Sequence, residues 1–246
     1  MIDYVLEWQD VFDYEGLPDP KKWSYDVGAH RWGNGETQYY TEGANVVVQG
    51  GLMTLVGKIE PYLDSPYTSC RMTTYEKKHF QYGRIEVRAK VPQNAGSWPA
   101  IWMLPVDFKE RKTSWPKCGE IDIMEHVTHL MDTHHVSLHT ELYNHGIKTQ
   151  RTYLEKRPGF TKEFHTFGMD WTKDYIEFFL DGVAYKRFYR NEPGFETSER
   201  GWPFDKPYYL IINIAIGGTW GGHVKESEYP CYFPIEFVKY YSIIES

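Results

Sequence analysis

Three carboxylates, Glu120, Asp122 and Glu125, stand within six residues of otherwise apolar sequence in the segment GEIDIMEH, residues 119–126. Side chains alternate faces along a strand, so Glu120 and Asp122 share one face, Ile121 and Ile123 the other, and Glu125 has the wrong parity. A β-bulge at Met124, adding one unpaired residue, rotates Glu125 back onto the face of the other two; bulges occur beside active sites for that purpose. Crowded like charges push at least one pKa upward, which keeps one acid protonated near neutral pH while its neighbour stays ionised. An attacking carboxylate beside a proton-donating acid is what retaining glycoside hydrolysis requires, with the two groups roughly 5–5.5 Å apart. Positions four or five steps along a strand, at about 3.3 Å per residue, are farther apart than that, so the long Glu side chains must lean inward across Asp122. The plainer reading is a solvated edge strand charged against aggregation, but edge charges do not call for the interleaved Ile and Met.

The elements that must hold these acids read as strands and turns. Candidate strands cover Val46–Val48, Leu52–Val56, Thr68–Tyr75, Gly83–Val91, Trp98–Leu104, Glu120–Glu125, Val136–Leu142, His165–Trp171, Tyr175–Leu180 and Tyr208–Ile216. Asp181-Gly182 between alternating apolar runs is a strong hairpin signal. No long stretch has helical period and no repeat recurs at fixed spacing. At 246 residues the chain could be one large all-β domain or two small ones, no linker stands out, and many short strands at this length favour a two-sheet sandwich.

Composition narrows the partner. The net charge of −7 and the lack of clustered Lys and Arg argue against nucleic acid. No apolar run approaches the roughly 18 residues of a membrane span. Aromatic residues make up 17%, including 9 Trp and 20 Tyr; most of the Tyr read as strand and core filler, and several Trp as exposed, which suits a neutral polymer. Cys70, Cys118 and Cys231 leave at least one thiol unpaired, form no disulfide framework and are too scattered for zinc. Cys118, two residues before Glu120, reads as a small buried hydrophobe rather than a nucleophile. The sequence opens on Met1-Ile2-Asp3 rather than a signal peptide, as expected of a secreted, periplasmic or cell-surface enzyme lacking its leader.

GEIDIMEH, together with FQYGRIEVRAKVP at 80–92, WPAIWMLP at 98–105 and INIAIGGTWGG at 212–222, closely resembles glycoside hydrolase family 16, in particular its laminarinase-like endo-β-1,3-glucanases. The resemblance runs end to end, from the Trp8 to Trp23 segment through Asn34–Tyr40 to a closing strand at Pro234–Ile244. It implies a single catalytic domain over residues 1–246, with a concanavalin-like β-jelly-roll sandwich of two curved antiparallel sheets and a substrate cleft on the concave face. It makes Glu120 the nucleophile, Asp122 the residue that orients and tunes it, and Glu125 the general acid/base. The extra Met124 matches the bulged motif of laminarinases rather than the unbulged one of bacterial lichenases.

The same resemblance implies sugar-binding roles for Asn34, Glu86, Arg88, Trp98, Trp102, Trp115, His139, Asn213 and Trp220. Trp faces stack on the apolar C–H surface of a pyranose; core packing is the competing reading for Trp98, Trp102 and Trp115, and a cross-strand ion pair for Glu86 and Arg88. The family's Asn after Asn34 is Gly35 here. His134, His135 and His139 invite a metal reading, but His134 lies on the opposite strand parity and a catalytic zinc needs three or four converging ligands; no metal or other cofactor is expected. The family's structural calcium is doubtful, because Lys239 occupies an aspartate ligand position. The expected activity is endo-acting, retaining hydrolysis of β-1,3-glucan or mixed-linkage β-1,3-1,4-glucan by a monomer. The alternatives are an agarase-like or transglycosylating relative, or a glucan-binding module on the same fold. Relatives acting on sulfated galactans need basic groups that form no cluster here, and intact Glu120, Asp122 and Glu125 favour the enzyme.

Overall fold

The structure, a computed structural model, describes residues 2–245. Its strands form two sheets. The ten-stranded sheet runs in the order Val183–Tyr189, Tyr175–Leu180, His165–Trp171, Gly83–Ala89, Cys231–Glu245, Leu52–Tyr62, Ser65–Ser69 and Gln38–Tyr40, with Ile2–Asp10 paired to the long closing strand and Val46–Gln49 to Leu52–Tyr62. The seven-stranded sheet runs Arg151–Lys156, Thr133–His139, Glu120–Glu125, Ser97–Pro105, Tyr208–Ile216, Arg71–Thr73 and Ser24–Tyr25. Among the described strand pairs only Gln38–Tyr40 with Ser65–Ser69 is parallel. Together the sheets make the all-β jelly-roll sandwich. Among the described residues no helix is long and apolar enough to cross a membrane.

One apolar core lies between the sheets, and alternation builds it from both sides. Gly83–Ala89 buries Ile85, Val87 and Ala89 and turns Arg84, Glu86 and Arg88 outward. Across the core, Tyr208, Leu210, Ile212 and Ile214 face inward from Tyr208–Ile216. That strand is buried along its whole length, because two smaller apolar clusters cover its other face: Tyr209 and Ile211 pack with Leu104, Cys118, Trp102 and Trp115, and Ala215 with Trp98, Val127 and Trp220. Cys70, Cys118 and Cys231 are all buried free thiols.

The strand expected over Thr68–Tyr75 is two strands. Ser65–Ser69 belongs to the ten-stranded sheet and Arg71–Thr73 to the other, so the chain changes sheets at Cys70. The hairpin at Asp181-Gly182 has positive φ at both residues, 52° and 77°, as a type I′ turn demands. Val136–Leu142 is displaced to Thr133–His139. Its inward residues include His134, which lies among Phe160, Phe167 and Tyr185.

Candidate active site

The strand Glu120–Glu125 lies inside the seven-stranded sheet, between Ser97–Pro105 and Thr133–His139. Glu120 pairs with His139 and Asp122 with Ser137, but Glu125 pairs with His135, so three steps on this strand match two on its neighbour. Against Ser97–Pro105 the shift falls between Asp122 and Met124. Ile121, Ile123 and Met124 all enter the core, so the extra residue is spent on a second consecutive inward side chain. Glu125 then emerges on the outward face with Glu120 and Asp122. Gly119 starts the strand at φ 86°, and a Cβ there would lie 2.3 Å from the Tyr208 hydroxyl and 2.7 Å from Pro203; only glycine allows this close approach.

Cross-strand register carries the site over the sheet. His135, Glu125, Ala100, Asn213 and Arg71 align as one row perpendicular to the strands. Ala100 is the smallest side chain in it, leaving the floor low between Glu125 and Asn213. In the adjoining row Asp122 neighbours Trp102. Trp102 is half-buried on the outward face; its indole donates to Asn213 Oδ1 at 2.7 Å, and Asn213 donates to the Tyr40 hydroxyl at 3.0 Å. The Tyr40 hydroxyl donates to Glu36 Oε2 at 3.0 Å, Gln38 donates to the same oxygen at 2.7 Å, and Asn34 donates to Glu36 Oε1 at 3.4 Å. Asn34 thus joins the floor through the buried Glu36, whose carboxyl burial pushes above the ordinary range.

The acids are packed against few compensating charges. His139 Nε2 lies 3.2 Å from Asp122 Oδ2 and 3.8 Å from Glu120 Oε1. Trp98 Nε1 donates to Glu125 Oε1 at 3.0 Å. Burial first, then repulsion by Asp122, pushes both Glu120 and Glu125 up to about 8. Burial holds Asp122 well above its usual range, opposed by a hydrogen bond with Glu120. Near neutral pH the cluster therefore keeps at least one proton, the state acid-assisted attack requires. Cys118, buried beside Glu120 and pushed up to about 12, remains a thiol. One ligand atom each from Glu120, Asp122 and His139 lies within 4.8 Å of the others, a spacing a divalent cation can bridge. His134 does not converge on them, since its ring faces the core.

Trp115 sits beside His139 and His145, with ring centroids 6.1 and 4.8 Å away. Trp220 packs edge-on against Trp98 at 5.3 Å and His135 at 4.7 Å.

Two expectations need correction. Glu86 and Arg88 belong to the ten-stranded sheet and point away from the core on the far side of the sandwich; Arg88 pairs with Glu236 at 2.6 Å and Glu86 with Arg84 at 3.7 Å. Their shared parity was right, but parity does not tell which sheet a strand joins. Trp98 is only 9% exposed and its N–H is committed to Glu125, so it is no open platform for a sugar. Lys239, where the resemblance implies an aspartate, extends its ammonium 4.4 Å from the Phe237 ring centroid.

Other residues of the site escaped notice in the sequence. Arg71 is buried between the rings of Trp32 and Trp102, 4.7 Å from each centroid, and donates to Asp26 at 3.0 Å. Glu36, Gln38 and Tyr40 form the hydrogen-bonded floor, and their i, i+2, i+4 spacing in ETQYY was the available signal.

Comparisons with known proteins bear on the family and the fold. The sequence profile of the glycosyl hydrolases family 16 matches residues 31–229. A β-glucanase from Rhodothermus marinus is 44% identical over 98% of this chain and 86% of its own length. The X-ray structure of the laminarinase from Rhodothermus marinus superposes with a TM-score of 0.94 at 44% identity, covering 100% of both chains. A non-specific endo-β-1,3(4)-glucanase, crystallised as a mutant with 1,3-β-D-cellotriosyl-glucose and presenting 1,3-β-D-cellobiosyl-glucose at its active site, superposes with a TM-score of 0.90 at 40% identity over 98% of this chain and 95% of that one. Sheet order, acidic strand and sequence relationship lead to one assignment: the chain belongs to glycosyl hydrolases family 16.

Proposed function

We propose that this protein is an endo-acting β-1,3(4)-glucan hydrolase that works by double displacement, with Glu120 as nucleophile and Glu125 as general acid/base. The observation that carries the reading is the bulge at Ile123-Met124, which turns Glu125 onto the face of Glu120 and Asp122 at the centre of a sheet lined by Trp102 and Trp115. The laminarinase and endo-β-1,3(4)-glucanase names of its relatives support the substrate class.

Glu120 as carboxylate attacks the anomeric carbon while protonated Glu125 gives its proton to the leaving glycosidic oxygen. The C–O bond breaks and a glycosyl ester of Glu120 forms. Esterification removes the negative charge of Glu120, which lowers the pKa of Glu125. Ionised Glu125 then takes a proton from water, the oxygen of which attacks the same carbon and releases Glu120. Two inversions leave the β-configuration unchanged. Asp122 and His139 tune Glu120 from its own strand and the next, and Trp102, held by Asn213, offers a ring face to a pyranose.

Parallel digestion of laminarin, mixed-linkage barley β-glucan, xyloglucan and agarose, with product linkages identified, tests the assignment. Rapid release of mid-length oligosaccharides from laminarin or barley glucan is expected. Activity confined to xyloglucan or agarose, or binding without cleavage, would overturn it.

A further inference from the structure

We propose that Trp98 is a positioning residue that decides which oxygen of Glu125 carries the transferable proton. An indole N–H only donates, so Oε1, which receives it at 3.0 Å, must present a lone pair. The proton of the acid form is therefore carried on Oε2, which receives no hydrogen bond from any described residue. The same indole bond favours the ionised form of Glu125, the form needed when water attacks. One contact thus serves both half-reactions: it aims the acid in the first and stabilises the base in the second.

The indole is held firmly enough for this task. Trp220 meets Trp98 edge-on at an interplanar angle of 89° and is itself braced by His135; Ala215 lies opposite Trp98 in the sheet register. Trp220 sits in the short turn Gly218–Gly221, flanked by Gly217 at φ 68° and Gly222 at φ 79°. That turn is tied to the neighbouring loop by the Thr219 amide donating to the Asn34 carbonyl at 2.8 Å. The charged or titratable groups facing Glu125 are Glu120 and Asp122 on its own strand and His135 and His139 on the next; among described residues, the Trp98 strand and the Trp220 turn present none.

This inference rests on the reading of Glu125 as the acid/base. Two replacements test it: Trp98→Phe, which keeps a ring and loses the N–H, and 3-benzothienylalanine at position 98, which keeps the indole shape with sulfur in place of N–H. On laminarin, kcat is expected to fall about tenfold with KM changed less than about twofold. On an aryl laminaribioside with an acidic phenol, the loss should stay below about threefold. The high-pH limb of kcat/KM should move upward, because the ionised form of Glu125 has lost a donor. In a Glu125→Ala background Trp98→Phe should add no further loss. A raised KM with kcat and the pH limb unmoved, or equal losses on both substrates, would overturn the proposal. If Trp98→Phe does not fold, the benzothienylalanine protein decides by the same readouts. Separately, if Glu125→Ala retains laminarin activity and azide yields no β-glycosyl azide, the acid/base reading itself fails.

Discussion

In the unfolded chain Glu120 and Glu125 titrate near 4.5, whereas burial followed by repulsion from Asp122 moves both to about 8 in the folded sheet. Between those values the folded protein binds protons more tightly than the unfolded chain, so rising pH favours unfolding; the penalty is absent below about 4.5 and complete above about 8. The arrangement that keeps an acid protonated for catalysis therefore costs stability at high pH. Glu120→Gln removes one repelling charge and keeps the size. The variant should be inactive and, at pH 8, more stable than the parent by about 2 kcal/mol, or about 4–8 °C in Tm, after allowance for the partial exposure of the side chain. At pH 4 the two should melt together. Thermal unfolding at the two pH values measures this, and a variant no more stable at pH 8 would mean that the fold already compensates the charge. At this scale the three acids were legible because a run of Ile and Met bound for the core seldom carries three carboxylates unless they act on a ligand. The Trp98 bond was not legible, since strand parity places an indole on a face without telling what its N–H meets.

The bulge is the element on which the site depends. Ile123 and Met124 are consecutive and both buried, so alternation fails at one step and resumes with Glu125 outward. Deleting Met124 restores plain alternation and leaves all three acids on one face, at the expense of a buried methionine worth about 2–5 kcal/mol. The deletion should keep more laminarin activity than Glu125→Ala. Exchanging the pair, Met124→Glu with Glu125→Met, keeps the bulge and turns the carboxylate into the core; kcat/KM should fall at least about a hundredfold. An exchange variant as active as the parent would show that the backbone does not set the direction of this acid. The bulge was readable because a wrong-parity acid stood beside two right-parity ones. The break at Cys70 left no comparable mark: Arg71 is buried with Met72 and Thr73, so its segment reads as one continuous strand although it changes sheets. Glu86 and Arg88 failed for a related reason, since their alternation is genuine but serves the other sheet.

Across the whole molecule, two sheets enclose one core and leave the outward face of the seven-stranded sheet to carry acids, indoles and the Glu36 hydrogen-bond network. The all-β class was legible from strand periods and turns, and the jelly-roll from family resemblance; sheet order was not, because long-range pairings such as Gly83–Ala89 with the closing strand have no local signature. A net charge of −7 and a row of aromatic and amide groups suit a neutral glucan threading across the strands rather than a polyanion. The central claim is double displacement by Glu120 and Glu125, and the anomer formed first reports it most directly. Proton NMR of laminarin hydrolysis, recorded before mutarotation, should show the β-anomer of the new reducing ends first, with the α signal growing later. An α signal appearing first would mean single displacement by water and would contradict the account.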